Sequence, residues 1–257
     1  MTGVQKKDSI QFQVYEGNRL IRTLKIKTPK KKGFHRMYWE LDEKGADRPS
    51  RKISKSKTEN GGIQVKPGNY KVKVHFGNAL DSTMVTVKTD PRLDVNQTAI
   101  NEVYDMGSTL QDYIQTSADA VKQLVESKDV ANRLSKELAM LDIDKYMEQI
   151  KASKDIVKQI DSVTALFIGK EDKRQGITRN PEISVMQRIN TANRYVRTRK
   201  SGITATEKKL VEYAEDDLKS ALTKTNLFFE EKWKPYRNQI EALDLSPFKE
   251  TKIITIN

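Results

Sequence analysis

Side chains that could act as catalysts or metal ligands are sparse in this chain of 257 residues. The two histidines are His35 and His75, and neither lies in a cluster of His, Asp or Glu at the spacing of metal ligands. There is no cysteine, which excludes disulfides, thiolate catalysis and Cys-based metal sites. We therefore expect both histidines to be structural, and we expect no metal or other cofactor.

The carboxylates Asp42, Glu43 and Asp47 come nearest to an acid/base pair of the kind that hydrolyses glycosides. They lie in a predicted turn, however, where Asp and Glu are ordinarily solvated. The segment GKEDKRQG, residues 169–176, lacks the Gly-Lys-Ser/Thr ending of a phosphate loop, and no Gly-x-Ser-x-Gly elbow occurs. The sequence therefore predicts a protein that is not an enzyme.

Positive charge is the clearest functional signal, with a formal net charge of +12. Residues 1–92 hold 21 Lys and Arg against 9 Asp and Glu, whereas residues 93–257 hold 26 of each. If the basic residues converge, they would bind a polyanion or a charged glycan; if they do not, they form a solvated face. The candidates are Lys30, Lys31, Lys32, Arg51, Lys52, Lys55 and Lys57. The loop that carries the last four has no aromatic residue for stacking on bases, which disfavours a nucleic-acid partner.

Residues 1–92 alternate between apolar and polar with a period of two, the pattern of strands with one buried face. Turn signals such as Gly17-Asn18 and Pro67-Gly68 separate the alternating runs, and residues 48–62 predict a long exposed loop. The apolar sets are Ile10, Phe12 and Val14; Leu20, Leu24 and Ile26; Met37, Trp39 and Leu41; Tyr70, Val72, Val74 and Phe76; and Thr83, Val85 and Val87. This pattern predicts an antiparallel β-sandwich.

After Asp90-Pro91 the period of the apolar residues changes to 3.6, which is typical of amphipathic helices. Four helices are expected, with Thr204 and Glu207 at the spacing of a capping box and Gly169 at a helix end. Short connections between such helices favour an antiparallel four-helix bundle over residues 93–257. No apolar run reaches the ~20 residues that span a bilayer, and the first residues have no signal-peptide h-region. The predicted fold class is thus α+β in two domains, residues 1–92 and 93–257.

The run GFHRMYWELDEKG followed by KPGNYKVKV resembles the Ig-like sandwich of the flagellar hook-capping type. A wider resemblance covers nearly the whole chain. The chain is similar to the C-terminal region of large bacterial sortilin-type, sialidase-repeat β-propeller proteins, which often carry a glycosyl hydrolase label. The matching pieces are Gly17 to Arg22; Gly33 with Arg36, Trp39 and Leu41; Pro67 to Tyr70; and Val87 with Asp90-Pro91-Arg92. The propeller repeats themselves do not occur in this sequence.

The resemblance implies a secreted or periplasmic protein and a non-catalytic accessory region whose partner is an upstream β-propeller domain of the same protein. On the predicted third strand, Arg36, Tyr38 and Glu40 share the face opposite Trp39. Aromatic residues and Arg are enriched at protein interfaces, so this face is the predicted interdomain docking surface. The alternative is a polyanion- or glycan-binding module that uses the basic residues of the sandwich.

Overall fold

The structure is a computed structural model, and it describes residues 9–31, 33–54, 58–92, 96–171, 182–199 and 201–243. Its strands are β1 (Ser9–Glu16), β2 (Arg19–Lys27), β3 (Asp42–Lys44), β4 (Gly61–Gln64), β5 (Gly68–Phe76) and β6 (Ala79–Val87). Four of them form an antiparallel sheet in the order β2-β1-β5-β6, and β3 pairs with β4 in a second, two-stranded antiparallel sheet. The predicted mixture of an antiparallel sheet and helices is confirmed at this level of α+β class.

The core of the sheet follows the alternation of the sequence. Val14 of β1 lies opposite Val72 of β5, so these apolar side chains share one face. Val14 and Tyr70 are almost fully buried, and Trp39 and Val72 pack against them. The rings of Trp39 and Tyr70 meet edge to face with centroids 5.6 Å apart. Trp39 is therefore part of the core, as its position in the pattern predicts.

A β-bulge changes the predicted face of β2. The register of β1 and β2 shifts between Val14, which pairs with Arg22, and Tyr15, which pairs with Leu20. Ile21 is the extra residue, and the parity of the strand is reversed across it. Ile21 and Arg22 are both buried as a result, whereas Leu20 is exposed. The prediction that Leu20 shares a face with Leu24 and Ile26 is therefore wrong.

The predicted third strand is also wrong. Residues 34–40 belong to no strand, and Leu41 adopts a left-handed backbone with φ of 54°. The Leu41 carbonyl accepts the Val65 N–H at 2.8 Å, and the paired strand β3 begins one residue later. Burial nevertheless alternates, since Met37 and Trp39 are half-buried and Tyr38 is exposed. The alternation in this segment therefore reflects how its side chains pack, and it arises without backbone hydrogen bonds to a neighbouring strand.

The helices are α1 (Gln97–Leu141), α2 (Met147–Ile168), α3 (Val185–Arg197), α4 (Ala205–Phe228) and α5 (Lys234–Glu241). Asn96 caps α1 through a hydrogen bond from the Ala99 N–H to its Oδ1. A π-helical turn over Phe229–Trp233 joins α4 to α5, and Pro235 is the second residue of α5. Proline cannot donate the i→i−4 bond, and a wider turn accommodates that loss. Among the described residues, no helix is both long and apolar enough to cross a bilayer.

Two predicted helix boundaries are confirmed. Gly169 ends α2 with φ of 78°, and its N–H binds the carbonyl of Ala165. Before α4, the Glu207 carboxylate accepts the N–H of Thr204 at 3.0 Å, which is the reciprocal half of a capping box. Both signals are local in sequence, which is why they could be predicted from it.

The chain divides into two compact units. The first contains residues 1–48, 54–116 and 188–215, and therefore all six strands. The second contains residues 49–53, 117–187 and 216–257. Helices α1, α3 and α4 contribute residues to both units. The division into domains at residue 92 stays a prediction.

Candidate functional site

The first compact unit contains a buried charge cluster on β2, centred on Arg22. Arg22 is 8% exposed, and its Nε lies 3.5 Å from Asp42 Oδ1. Its Nη1 donates to the carbonyl of Asn60 and lies 4.0 Å from Glu59 Oε2. A buried guanidinium is costly unless carbonyls or carboxylates surround it, so these partners hold the strand and the loop before β4 together.

Glu59 also occupies the free edge of the sheet. Its Oε2 accepts a 2.7 Å hydrogen bond from the backbone N–H of Thr23. Among the described strands, β2 is the outermost of this sheet and pairs only with β1, so this N–H points away from its neighbour. The carboxylate thus takes the position that the carbonyl of a further strand would occupy. We call this side of β2 the β2 edge.

A groove of about 560 Å³ lies along the β2 edge. Its lining residues are Gln11, Arg22, Thr23, Leu24, Lys25, Ile26, Arg36, Met37, Tyr38, Thr58 and Glu59. Five consecutive residues of β2 contribute, although side chains of a strand point alternately to opposite faces. The groove therefore follows the edge of β2, and Gln11 shows that it also reaches the neighbouring strand β1. Three further consecutive residues, Arg36 to Tyr38, line it as well.

The structure places two of the three predicted docking residues at this groove. Arg36 and Tyr38 line it, and the Tyr38 side chain is 68% exposed. Glu40 is exposed but does not line the groove. The neighbouring Trp39 anchors this segment, because its Nε1 donates to the Asp42 carbonyl at 2.8 Å and its ring packs on Tyr70. A fixed backbone therefore presents Arg36 and Tyr38.

The described polyanion candidates are divided between the two compact units. Lys30 and Lys31 are exposed in the first compact unit, whereas Arg51 and Lys52 belong to the second. Arg51 Nη2 donates to the Gly169 carbonyl at 2.5 Å, so this guanidinium already serves the end of α2. The remaining candidates, Lys32, Lys55 and Lys57, lie outside the described residues. A polyanion site stays a prediction.

The carboxylates considered for glycoside chemistry do not form a free pair. Asp42 and Glu43 are both buried, contrary to the expectation of solvated turn residues, and only Asp47 is exposed. Both Glu43 oxygens accept hydrogen bonds of 2.8 Å from the Arg19 guanidinium. Two parallel hydrogen bonds from one guanidinium fix the position of this carboxylate, which makes it a structural anchor.

A tyrosine from α1 completes the Glu43 cluster. Tyr104 OH donates to Glu43 Oε1 at 2.5 Å, and Lys66 Nζ lies 4.4 Å from the centre of the Tyr104 ring. Burial and the hydrogen bond to Glu43 raise the pKa of Tyr104 to about 12. The hydrogen bond to Glu43 also raises the pKa of Arg19. These residues fasten β2 and β3 to α1 within the first compact unit.

The two histidines lie apart. His35 is exposed, with Nε2 2.9 Å from the Lys31 carbonyl, and His75 lies opposite Gln11 on β5. Among the described residues, no group of three or more His, Cys, Asp or Glu is arranged to hold a metal ion. The groove at the β2 edge, which combines cations, an exposed tyrosine and a free strand edge, is therefore the candidate site.

Sequence reasoning identified Arg36 and Tyr38 but missed Arg22 and Glu59. Arg22 has the same parity as Leu24 and Ile26, so alternation alone could have placed this arginine on the apolar face of β2. Glu59 lies in a loop whose sequence signals only exposure. A comparison with protein-family models, curated proteins and solved structures gives no significant match for this chain.

Proposed function

We propose that this chain is a non-catalytic accessory region that binds an adjoining protein domain through the groove at the β2 edge. The observation that carries the proposal is the exposed Tyr38 beside Arg36 at the wall of that groove. Exposed aromatic side chains next to Arg are typical anchors of protein interfaces. Their backbone is fixed by Trp39, so little conformational entropy is lost when a partner binds.

The sequence resemblance supplies the identity of the partner in this proposal. The adjoining domain is an upstream β-propeller of the same bacterial protein, in a secreted or periplasmic setting. We also propose that the strands form an Ig-like sandwich and that the helices form an antiparallel four-helix bundle. The chain supports the propeller and leaves any catalysis to it.

The test uses the natural protein together with whatever domain is encoded upstream of Met1. We expect the upstream coding sequence to contain a β-propeller in frame. In the protein that includes this domain, Arg36→Ala combined with Tyr38→Ala should lower the Tm or separate unfolding into two transitions. The control combines Lys30→Ser with Lys31→Ser, which removes two exposed charges outside the groove and should leave unfolding nearly unchanged.

Two results would overturn the proposal. The first is an upstream coding sequence without a propeller. The second is the reverse ranking of the variants, in which the lysine substitutions lower the Tm and the Tyr38 and Arg36 substitutions leave it unchanged. That ranking would favour the alternative, a polyanion- or glycan-binding module, which a heparin titration at increasing salt would then measure.

A further inference from the structure

The groove at the β2 edge lies between strand β2 and a segment that belongs to no strand. Arg22 to Ile26 form one wall, and Arg36 to Tyr38 contribute consecutive residues to the other side. At about 3.3 Å per residue, five residues of β2 extend about 16 Å, which matches a peptide of about five residues. A slot of this kind suits an extended chain better than a compact ligand.

Backbone groups for pairing with such a chain are oriented by the register of the sheet. In an antiparallel edge strand, alternate residues direct their N–H and C=O away from the sheet. The Thr23 N–H is directed away, since Glu59 binds it. The backbone groups of Lys25 and Lys27 therefore point out of the same edge.

The charge around this edge selects the partner. The groove is lined by three cations, Arg22, Lys25 and Arg36, and by one carboxylate, Glu59. Because Glu59 already lies beside Arg22, the exposed charges of Lys25 and Arg36 are the ones that an incoming chain meets. A second copy of β2 would bring lysines against lysines, which is repulsive in a strand pair.

We propose that the β2 edge binds an extended acidic peptide segment of its partner by β-strand addition. The inference rests on the proposed function and names the chemistry of its partner. Main-chain hydrogen bonds to Thr23, Lys25 and Lys27 provide affinity, and carboxylates of the peptide face Lys25 and Arg36. The incoming carbonyl replaces the Glu59 carboxylate at the Thr23 N–H.

The probe is a fluorescein-labelled peptide of eight residues that alternates Glu and Val. We expect saturable binding to the full chain by fluorescence anisotropy at low salt, and weaker binding as salt rises. Peptides that alternate Lys and Val, or that carry N-methyl groups on alternate amides, should not bind. Backbone hydrogen exchange of Lys25 should slow when the acidic peptide is present.

Lys25→Glu reverses one charge in the groove, and we expect it to weaken the peptide at least fivefold. Lys30→Glu makes the same change at an exposed residue outside the groove and should alter binding less than twofold. Both variants should fold, because both substitutions are on exposed side chains. Circular dichroism checks this.

Absence of binding at millimolar peptide overturns the inference, and so does equal binding of the N-methylated peptide. Complete displacement by heparin together with insensitivity to N-methylation would instead assign the groove to a polyanion. If the peptide fails while Arg36→Ala with Tyr38→Ala still uncouples the upstream domain, docking stands and strand addition is wrong. If the peptide binds and that double variant has no effect, strand addition stands and the proposed domain docking is wrong.

Discussion

The Glu207 carboxylate is fully buried and accepts a 2.6 Å hydrogen bond from Arg199 Nη2. Its other oxygen accepts the Thr204 hydroxyl at 2.5 Å and the Thr204 N–H at 3.0 Å. The hydrogen bond from Arg199, followed by those from Thr204, lowers the pKa of Glu207 to about 2. One carboxylate therefore closes the turn before α4 and fixes the arginine that precedes it.

This pKa makes stability dependent on pH in a defined window. Glu in an unfolded chain titrates near ~4.3, so the ionised Glu207 stabilises the fold fully above that pH, and the contribution is lost as pH falls toward about 2. Glu207→Gln should lower the urea midpoint near neutral pH, and its difference from the natural protein should narrow as pH falls below ~4. Urea unfolding by circular dichroism at a series of pH values measures this. Glu212→Gln, at an exposed ion pair with Lys209, is the matched control, and a pH-independent difference for Glu207→Gln would contradict the assignment.

Arg22 should be the most sensitive charged residue of β2. Its removal leaves the buried Asp42 carboxylate without its cation, and breaking a buried ion pair in this way costs about 3–5 kcal/mol. We expect Arg22→Ala to lower the free energy of unfolding by that amount in urea titrations. In the chain of residues 1–257 without an upstream domain, Arg36→Ala, which removes an exposed arginine from the same groove, should stay within ~0.5 kcal/mol of the unsubstituted chain. Equal effects of the two variants would show that the Arg22 cluster does not hold β2 and the loop together.

The Tyr70 hydroxyl donates to the Lys66 carbonyl at 2.6 Å, while its ring is buried against Trp39. Tyr70→Phe keeps the ring and removes the donor, so we expect a loss of about 1 kcal/mol. Tyr70→Ala should cost about 3–5 kcal/mol, because it also leaves a cavity. Thermal and urea unfolding compare both with Tyr38→Phe, whose exposed ring should tolerate the change. A neutral Tyr70→Phe variant would argue that the hydroxyl is dispensable.

Gly45 is required by close approach of two backbones. A Cβ at this residue would lie 2.2 Å from the Gly61 carbonyl oxygen, across the pair of β3 and β4. Gly45→Ala must therefore displace backbone, and we expect it to destabilise the chain by more than 2 kcal/mol. Gly17→Asn is the comparison: its φ is 57° with open space around it, and Asn accepts that conformation at small cost. Gly45→Ala should therefore have the lower free energy of unfolding of the two variants. A lower value for Gly17→Asn would mean that the turn at Gly17 tolerates substitution less well.

The sequence by itself determined the features that depend on neighbours along the chain. Alternation located β1, β5 and β6, and the 3.6-residue period located the helices, because each pattern reports how one element buries one face. The helix cap at Thr204 and Glu207 and the helix end at Gly169 were also predicted, since each has a hydrogen bond between near neighbours. Arg199 and Arg51 add contacts that the local pattern does not show. Trp39 was placed correctly against the core because it shares its parity with the apolar residues Met37 and Leu41, and an aromatic side chain in such a set is ordinarily buried.

Only the tertiary structure decided which residues meet across long stretches of chain. The bulge at Ile21 moved Leu20 off the face of Leu24 and Ile26, and a one-residue shift of this kind leaves no mark in an alternating sequence. Residues 34–40 keep the alternation of a strand but have no strand partner, because alternation reports burial and pairing requires a neighbour with a free edge. Glu59 reaches Thr23 from 36 residues away, and that contact depends on the course of a loop that no local pattern encodes.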